Sequence, residues 1–358
     1  MKRKPALCTL RACWKTGDRT MTLRRKLLAA AVVALLAVPG IAKAEEKIHL
    51  TYHAAFGIAA LNEASRVWMD EIEARTNGRV EFRRLFGGAL GKFAGQPDGL
   101  KARSFDVGQL SAVYNPGLYP RATTTVITFL TDNAEAHNLA AHEFFKLPEV
   151  QAEFDVLNQK FMFVGQWSRI EMLSYDHYNT MEELSQAKIR AHGGAGDALE
   201  AAGIAGYAIP WGELPSAAEK RVVDAAIMGA PAAAFDFGFG DIFEYWYAYM
   251  PFYYFPMTLV MNKEAWEELP ADIQQIIEEL NEEMVPRAQA ITVMRDGEAE
   301  AKLTEELGVK KVRFGERDKL EAAAAGAREN WKAEMNEKGI DGQALLDKYY
   351  ELLKKHGG

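Results

Sequence analysis

Arg190 is the residue of this sequence best placed for binding chemistry. It ends a short β-type run at 187–190, and a turn containing Gly193, Gly194 and Gly196 follows it. A guanidinium is always charged, and its parallel N–H donors match the two oxygens of a carboxylate. Because ligands of parallel α/β sheets bind at the carboxyl ends of the strands, an arginine there indicates capture of a small anion. An exposed arginine or an internal salt bridge is the alternative interpretation.

Arg169 and two tryptophans are further candidates for a binding site. Arg169 lies in the sequence GQWSRIEML, near the point where the chain would enter a second lobe. It is a possible second anchor for an anion, and its alternative is an interlobe salt bridge. Trp167 and Trp211 offer flat faces for stacking on a ligand, although isolated tryptophans more often belong to a core.

Other kinds of chemistry find little support in the sequence. The glycine-rich turn lacks the lysine and hydroxyl residue of a phosphate loop, so it is interpreted as a turn that lets the backbone approach a ligand or a strand. His137 and His142 are five residues apart, which separates them by about 140° on a helix. They are therefore a poor metal pair with Glu143. Without a GxSxG motif or a serine beside an evident base, we predict no catalytic residue, no metal and no cofactor.

The segment from Ala187 to Pro231 contains the elements that position Arg190. It follows the order strand, turn, helix, strand, helix, strand, which is typical of a parallel α/β lobe. Its first helix is predicted to begin near Asp197. Strand patterns and helix patterns also alternate along residues 47–114, which predicts a separate β-α-β-α-β lobe. A long helix from about Ala271 is expected to lie across both lobes.

Residues 1–44 are predicted to be a cleaved export signal. A basic stretch at 24–26 precedes an apolar run at 27–38, and residues 42–44 read Ala-Lys-Ala, the pattern of a cleavage site. The apolar run is too short for a confident transmembrane helix. Nothing upstream of Met21 resembles a signal, so Met21 is an alternative start.

Composition after this segment favours an exported protein that does not bind polyanions. Both cysteines, Cys8 and Cys13, precede Met21, and a cysteine-free exported chain fits the bacterial periplasm. Residues 1–44 hold ten of the 42 Lys and Arg and one of the 50 Asp and Glu, so residues 45–358 have a formal charge of −17. We therefore expect no nucleic-acid binding and no direct membrane insertion after cleavage.

Several segments, in this order and spacing, resemble the periplasmic solute-binding proteins of tripartite ATP-independent (TRAP) transporters. The resemblance covers essentially all of residues 45–358. It rests on TNGRVEF with GGALG, YNPGLYP, KIRAHGGAGDALEAAGIAGYAIPWGEL, VVDAAIM and LVMNKEAWEELPADIQQII. It implies an α/β protein with a two-lobed periplasmic binding protein architecture and a long helix spanning both lobes. It also implies that the protein closes on an organic acid and delivers it to integral membrane permease subunits.

The resemblance also implies roles for individual residues. The carboxylate-binding arginine of the family falls on Arg190, a second basic contact falls near Arg169, and the pocket aromatic falls on Trp211. Where many members read aspartate-glycine-glutamine-glutamate-asparagine, this chain reads Asp-Ala-Ala-Ile-Met, so Met228 replaces a polar side chain. Ser111 stands where some members place a larger polar group.

We therefore expect a less polar pocket than that of a sugar-acid receptor. Arg190 would hold one acidic head, and the body of the ligand would pack on Trp211 and Met228, with Tyr114, Phe56 and Trp167 as further candidates. A monocarboxylate, an aromatic acid or a sulfonate fits such a pocket better than a heavily hydroxylated acid.

The expected domain organisation has two lobes after the export signal. Residues 45–167 with about 252–290 form lobe I, and residues 168–251 with about 291–358 form lobe II. The predicted function is a non-catalytic periplasmic receptor of a TRAP-type transporter. Two alternatives remain: an exported α/β enzyme acting on an organic acid, and an ABC-type solute-binding protein.

Overall fold

Several strands of the protein are apolar runs that are buried on both faces. The computed structural model describes residues 47–358, apart from the side chains at 59, 60, 166 and 167, so the predicted export signal lies outside it. The strands are β1 Ile48–His53, β2 Val80–Leu85, β3 Val107–Leu110, β4 Gln159–Ser174, β5 Ile189–Arg190, β6 Gly206–Tyr207, β7 Ala225–Ala230, β8 Tyr245–Tyr247, β9 Tyr253–Asn262 and β10 Lys310–Lys311. Every residue of β7 and β9 is buried, as expected for strands covered on both faces.

Helices alternate with the strands along the chain. They are α1 Glu63–Arg75, α2 Gln96–Lys101, α3 Ala134–Phe145, α4 Pro148–Val156, α5 Met181–Ser185, α6 Gly194–Ala201, α7 Leu214–Glu219, α8 Ala232–Asp236, α9 Lys263–Glu267, α10 Ala271–Ala301, α11 Arg317–Glu337 and α12 Gly342–Lys355. No helix within residues 47–358 combines the length and the apolar composition needed to cross a membrane.

The strands join into one mixed sheet in which two long strands connect two parallel groups. The main path of the sheet runs β2-β1-β3-β9-β4-β7-β5-β6, and β8 pairs with β4 and β10. One group is β2, β1 and β3, and the other is β7, β5 and β6; within each the strands are parallel. β4 is antiparallel to β9 along its first part and to β7 along its last six residues. Its sixteen residues extend roughly 50 Å, far enough to belong to both groups.

The long helix α10 follows the sheet from one core to another. It begins at Ala271, as the sequence predicted. Ile277 and Leu280 pack in the apolar cluster that contains β1 and the early residues of β4. Just past its end, Leu303 packs in a different cluster with Met228 and Trp246. The α/β architecture with a long helix spanning two lobes is thus confirmed.

The start of one helix and one contact of the C-terminal helix differ from what the sequence predicts. Helix α6 begins at Gly194, three residues before the predicted start at Asp197, because the positive φ of Gly193 lets the chain turn directly into the helix. The C-terminal helix α12 packs on α3 in one apolar cluster. That contact differs from the expectation that all of 291–358 belongs to lobe II, and the lobe boundaries remain a prediction.

Candidate functional site

Arg190 is a buried cation at the carboxyl end of β5. The strand ends there because the chain enters the Gly193–Gly194 turn, and only 5% of the arginine is exposed. Its Nη1 donates to the carbonyl oxygen of Ile227 at 2.9 Å and its Nε to that of Ile209 at 3.1 Å. Among the side chains that the structure describes, no carboxylate forms an ion pair with it. A buried charge without a counter-charge is destabilising, so this position is suited to an incoming anion.

The guanidinium faces a cavity between the two parallel groups of strands, which we call the Arg190 cavity. The empty space among its lining residues, open solvent included, is about 360 Å³. Segments after β3 and β5 and within β4, β7 and β9 contribute to its walls. The lining residues are Val113, Tyr114, Ile170, Arg190, His192, Trp211, Ile227, Met228, Gly229, Tyr253 and Phe255.

Polar groups of the Arg190 cavity are few and favour an anion. Burial lowers the pKa of Arg190, while the phenols of Tyr114 and Tyr253 act in the opposite direction; a guanidinium nevertheless remains charged. Burial raises the pKa of both phenols, so each keeps its O–H as a donor. One cation and two hydroxyl donors among apolar walls can hold a single carboxylate or sulfonate group.

Four of the predicted site residues meet in this cavity. Arg190, Tyr114, Trp211 and Met228 all contribute to its lining. The ring of Trp211 lies 5.9 Å from the guanidinium carbon of Arg190, within range of a cation–π contact.

Three of the other predicted residues lie elsewhere, and one is not described. Phe56 stacks on Phe93 at 5.2 Å and is not among the lining residues. Ser111 is fully buried and is not among the lining residues either. The side chain of Trp167 lies outside the described residues. These placements result from contacts between distant segments, which the local sequence does not encode.

Arg169 takes part in a buried ion-pair network and does not line the Arg190 cavity. Its Nε lies 3.3 Å from a carboxylate oxygen of Asp296, and its Nη1 lies 3.7 Å from Glu171. The indole of Trp246 donates to Glu171 at 2.7 Å. Burial raises the pKa of Glu171 to about 8 and that of Asp296 to about 6, with Arg169 opposing both shifts. The sequence left an interlobe salt bridge open for Arg169; the partners that the structure shows, Glu171 and Asp296, lie with it in the predicted lobe II.

The glycine-rich turn allows a close backbone contact next to the site. A Cβ atom on Gly194 would lie 2.5 Å from the carbonyl oxygen of Val126, and one on Gly193 would lie 2.9 Å from Val113. Both distances are shorter than real Cβ contacts. The glycines therefore let the segment after β5 touch the segment that follows β3, which fits the interpretation of a turn for close approach.

A larger cavity adjoins the Arg190 cavity. The empty space among its lining residues, open solvent included, is about 1180 Å³, and it shares Val113, Tyr114 and His192 with the smaller one. Its far side is formed by α11, including Trp331. The smaller cavity is the better candidate site, because Arg190 lines it and forms no ion pair with any described carboxylate.

Sequence reasoning missed two residues of the site. Tyr253 begins β9, far from Arg190 in the chain, and no local sequence pattern connects the two residues. His192 follows Arg190 by two residues. Side chains two residues apart in a strand point to the same face, so this spacing near a strand end could have indicated His192. Both line the Arg190 cavity.

Comparison with known proteins identifies sequence relatives. The family described as "Bacterial extracellular solute-binding protein, family 7" matches residues 59–338. A curated relative, the monocarboxylate 2-oxoacid-binding periplasmic protein of Nostoc sp. (strain PCC 7120), is 24% identical over 211 residues. That alignment covers 56% of each protein, so the chain spans little more than half the length of this relative.

Solved structures show the same fold. A TRAP solute-binding protein from Rhodoferax ferrireducens, in complex with copurified benzoate, is 21% identical with a TM-score of 0.77 and covers 87% of this chain and 98% of its own. A marine-metagenome TRAP solute-binding protein specific for aromatic acid ligands, with 3-hydroxybenzoate, is 20% identical with a TM-score of 0.78 and covers 87% and 100%. These likenesses show the two-lobed fold.

The close contact at Gly194 predicts different effects of alanine at two glycines of α6. Gly194→Ala is expected to lower the free energy of unfolding by about 1–3 kcal/mol, because its Cβ would push against a backbone carbonyl. Gly196→Ala is the matched control, since its nearest neighbours lie at 4.0 Å. It should be neutral or stabilising by up to about 1 kcal/mol. Urea denaturation measures both, and equal effects would contradict the account.

The buried carboxyl of Glu171 predicts a pH-dependent contribution to stability. Between the ordinary pKa of 4.5 and the folded pKa of about 8, the folded chain keeps a proton that the unfolded chain has released. Rising pH in this window therefore destabilises the folded protein. Glu171→Gln preserves an acceptor for Trp246 and removes this titration. Relative to wild type, it should gain on the order of 1–3 kcal/mol between pH 5 and pH 8.

Urea denaturation across that pH range measures the difference. The exposed Glu298→Gln is the control and should follow the wild-type curve. Wild-type and Glu171→Gln curves that stay parallel would show that Glu171 is ionised in the fold.

Proposed function

The chain belongs to family 7 of the bacterial extracellular solute-binding proteins, and from this we propose that it is the periplasmic receptor of a TRAP-type transporter. It binds a small organic anion between two lobes and delivers it to integral membrane permease subunits. The observation that carries the proposal is the buried guanidinium of Arg190, which faces a cavity and has no acidic partner among the described side chains. The receptor performs no catalysis on its ligand.

The ligand is a monocarboxylate or sulfonate with a largely apolar, aromatic or weakly hydroxylated body. Two of the five N–H donors of Arg190 bond to the Ile209 and Ile227 carbonyls, which leaves three for the ligand. Met228, Ile170 and Phe255 line the walls and suit a ligand with an apolar body. These side chains would not form strong hydrogen bonds with the hydroxyl groups of a heavily hydroxylated ligand. Relatives that bind benzoate and 3-hydroxybenzoate, or that carry the name of a 2-oxoacid receptor, support this class.

Closure of the lobes is the working motion of the receptor. Lobe I is proposed to comprise 45–167 with about 252–290, and lobe II to include 168–251. β4 and β9 connect the two, and several connections of this kind make a hinge. A ligand that contacts both lobes shifts the open–closed equilibrium toward the closed form, which the permease would recognise.

Arg190→Ala is expected to abolish or severely weaken binding of organic anions. Loss of a buried charged hydrogen-bond partner costs on the order of 2–5 kcal/mol, or roughly 30- to 5,000-fold in affinity. A thermal-shift screen of small carboxylates and sulfonates first identifies ligands of the wild type. An acid at ten times its Kd should stabilise the protein by about 1.4 kcal/mol.

The matched control is Arg83→Ala, which removes an exposed arginine of β2. It should retain the ligand-induced shift, and Arg190→Ala should lose it while keeping its circular-dichroism spectrum. Near-wild-type affinity of a folded Arg190→Ala protein would remove Arg190 from the site. A wild type that no organic anion stabilises, after removal of any copurified ligand, would contradict the proposed function.

A further inference from the structure

Five aromatic rings connect the two parallel groups of strands next to the Arg190 cavity. Three of them follow the strands β1, β2 and β3 of the first group, and two follow β6 and β7 of the second group. Each ring contacts the next one, and the two end rings line the Arg190 cavity while the three between them do not. We call this set the aromatic arc; its members, in order of contact, are Tyr114, Phe93, Phe56, Phe237 and Trp211.

The rings of the first group are held in place on their own side. Phe56 stacks on Phe93 with the ring centres 5.2 Å apart, and Phe93 contacts Tyr114 at 4.8 Å. The backbone of Phe56 is fixed as well, because the buried side chain of Asn62 donates to its carbonyl oxygen at 2.9 Å. These three rings therefore move together with the first group of strands.

The rings of the second group have separate anchors. Phe237 contacts Trp211 edge-on, with the ring centres 4.9 Å apart. The residue before Phe237 is Asp236, which ends helix α8 and forms an ion pair with Arg295 of α10 at 2.9 Å. Trp211 itself lies 5.9 Å from the guanidinium carbon of Arg190. Phe237 is therefore coupled through one ring to the wall of the Arg190 cavity.

The contact between Phe56 and Phe237 joins the two parts of the aromatic arc. Their ring centres are 6.5 Å apart and their planes are at 87°, an edge-to-face arrangement within the favourable range for aromatic pairs. It is the longest ring contact of the arc, so separation of the two groups of strands would break the arc at this pair. Neither ring lines the Arg190 cavity, so neither is placed to touch a ligand there.

We propose that Phe56 and Phe237 are positioning residues of the receptor, whose ring contact holds the Arg190 cavity closed and prolongs the stay of a bound anion. The inference rests on the proposed function, because the anion is the ligand of that cavity. The pair acts through the walls of the cavity and not by touching the anion. A second ring contact between the two groups, that of Tyr114 with His192 at 5.3 Å, remains when the pair is lost. Loss of the pair should therefore shorten the stay of the anion without abolishing binding.

Distances between spin labels test the contact without any ligand. The labels are placed on exposed residues of the two groups, by Arg83→Cys in β2 and Lys220→Cys just after α7. Cys8 and Cys13, the only other cysteines, are replaced by serine. Pulsed electron spin resonance then measures how much of the protein has the two groups joined and how much has them apart.

Phe56→Leu and Phe237→Leu each keep an apolar side chain and remove the ring. Each should raise the ratio of separated to joined protein about two- to twelvefold, which is the worth of one aromatic pair. The double variant should have little further effect, since either change alone removes the same contact. Phe235→Leu is the matched control and should leave the ratio unchanged, because Phe235 lies two residues away on α8 and its ring contacts Lys302.

Two results of this measurement would overturn the proposal. One is a distance distribution that neither single variant changes. The other is a double variant whose effect is the product of the two single effects, because the rings would then act independently of each other.

The rate at which an anion leaves tests the consequence for binding. Benzoate is the first probe, and the tightest-binding acid of the thermal-shift screen is the second. Stopped-flow fluorescence should show that each single variant releases the anion about two- to twelvefold faster than the wild type, since changes within one binding site act mainly on dissociation. Phe235→Leu should release it at the wild-type rate.

The two proposals fail in different ways. If an acid binds and its release rate does not depend on Phe56 and Phe237, the role of the pair is refuted and the receptor function stands. If no organic anion binds the wild type, the proposed function is refuted, and the spin-label distances still decide whether the pair joins the two groups of strands.

Discussion

Arg190 is a buried guanidinium that meets no carboxylate among the side chains the structure describes, and the chemistry of the site follows from this charge. Arg190 is 5% exposed and is held by the carbonyls of Ile209 and Ile227, which fix its position without neutralising its charge. Arg169 shows the contrast within the same protein, since Asp296 compensates its charge at 3.3 Å. Desolvation makes the first arrangement costly for the empty protein, and an anion removes that cost on binding. The two arginines thus differ in how far the protein itself compensates their charge.

The fold brings this cation into a cavity that segments from distant parts of the chain complete. β5 ends at Arg190, β7 supplies Met228, and β9 supplies Tyr253 from the other side. The close approach of Gly194 to Val126 brings the segment after β5 against the segment that follows β3. A site built from both parallel groups of strands can sense their relative position, which a receptor that closes on its ligand requires.

Local sequence patterns predicted those features of the fold that depend on interactions between neighbouring residues. The strand and turn around Arg190 and the start of the long helix at Ala271 follow from periodicity and glycine placement, and the structure confirms them. Long-range pairing was not predictable in this way. Asp296 meets Arg169 across more than a hundred residues, and the packing of the C-terminal helix α12 depends on α3, which lies far earlier in the chain. Of the residues that the family resemblance suggested for ligand contact, Trp211 and Met228 line the cavity and Phe56 and Ser111 do not, and the binding roles of all four stay predictions.

The most direct test of the central claim measures how binding depends on the charge of the ligand. Calorimetric titration of the wild-type protein compares the tightest-binding organic acid with its primary amide, which keeps the shape and removes the negative charge. The account predicts that the acid binds and that the amide binds at least about 30-fold more weakly, because only the acid neutralises Arg190. Equal affinity for acid and amide would contradict it.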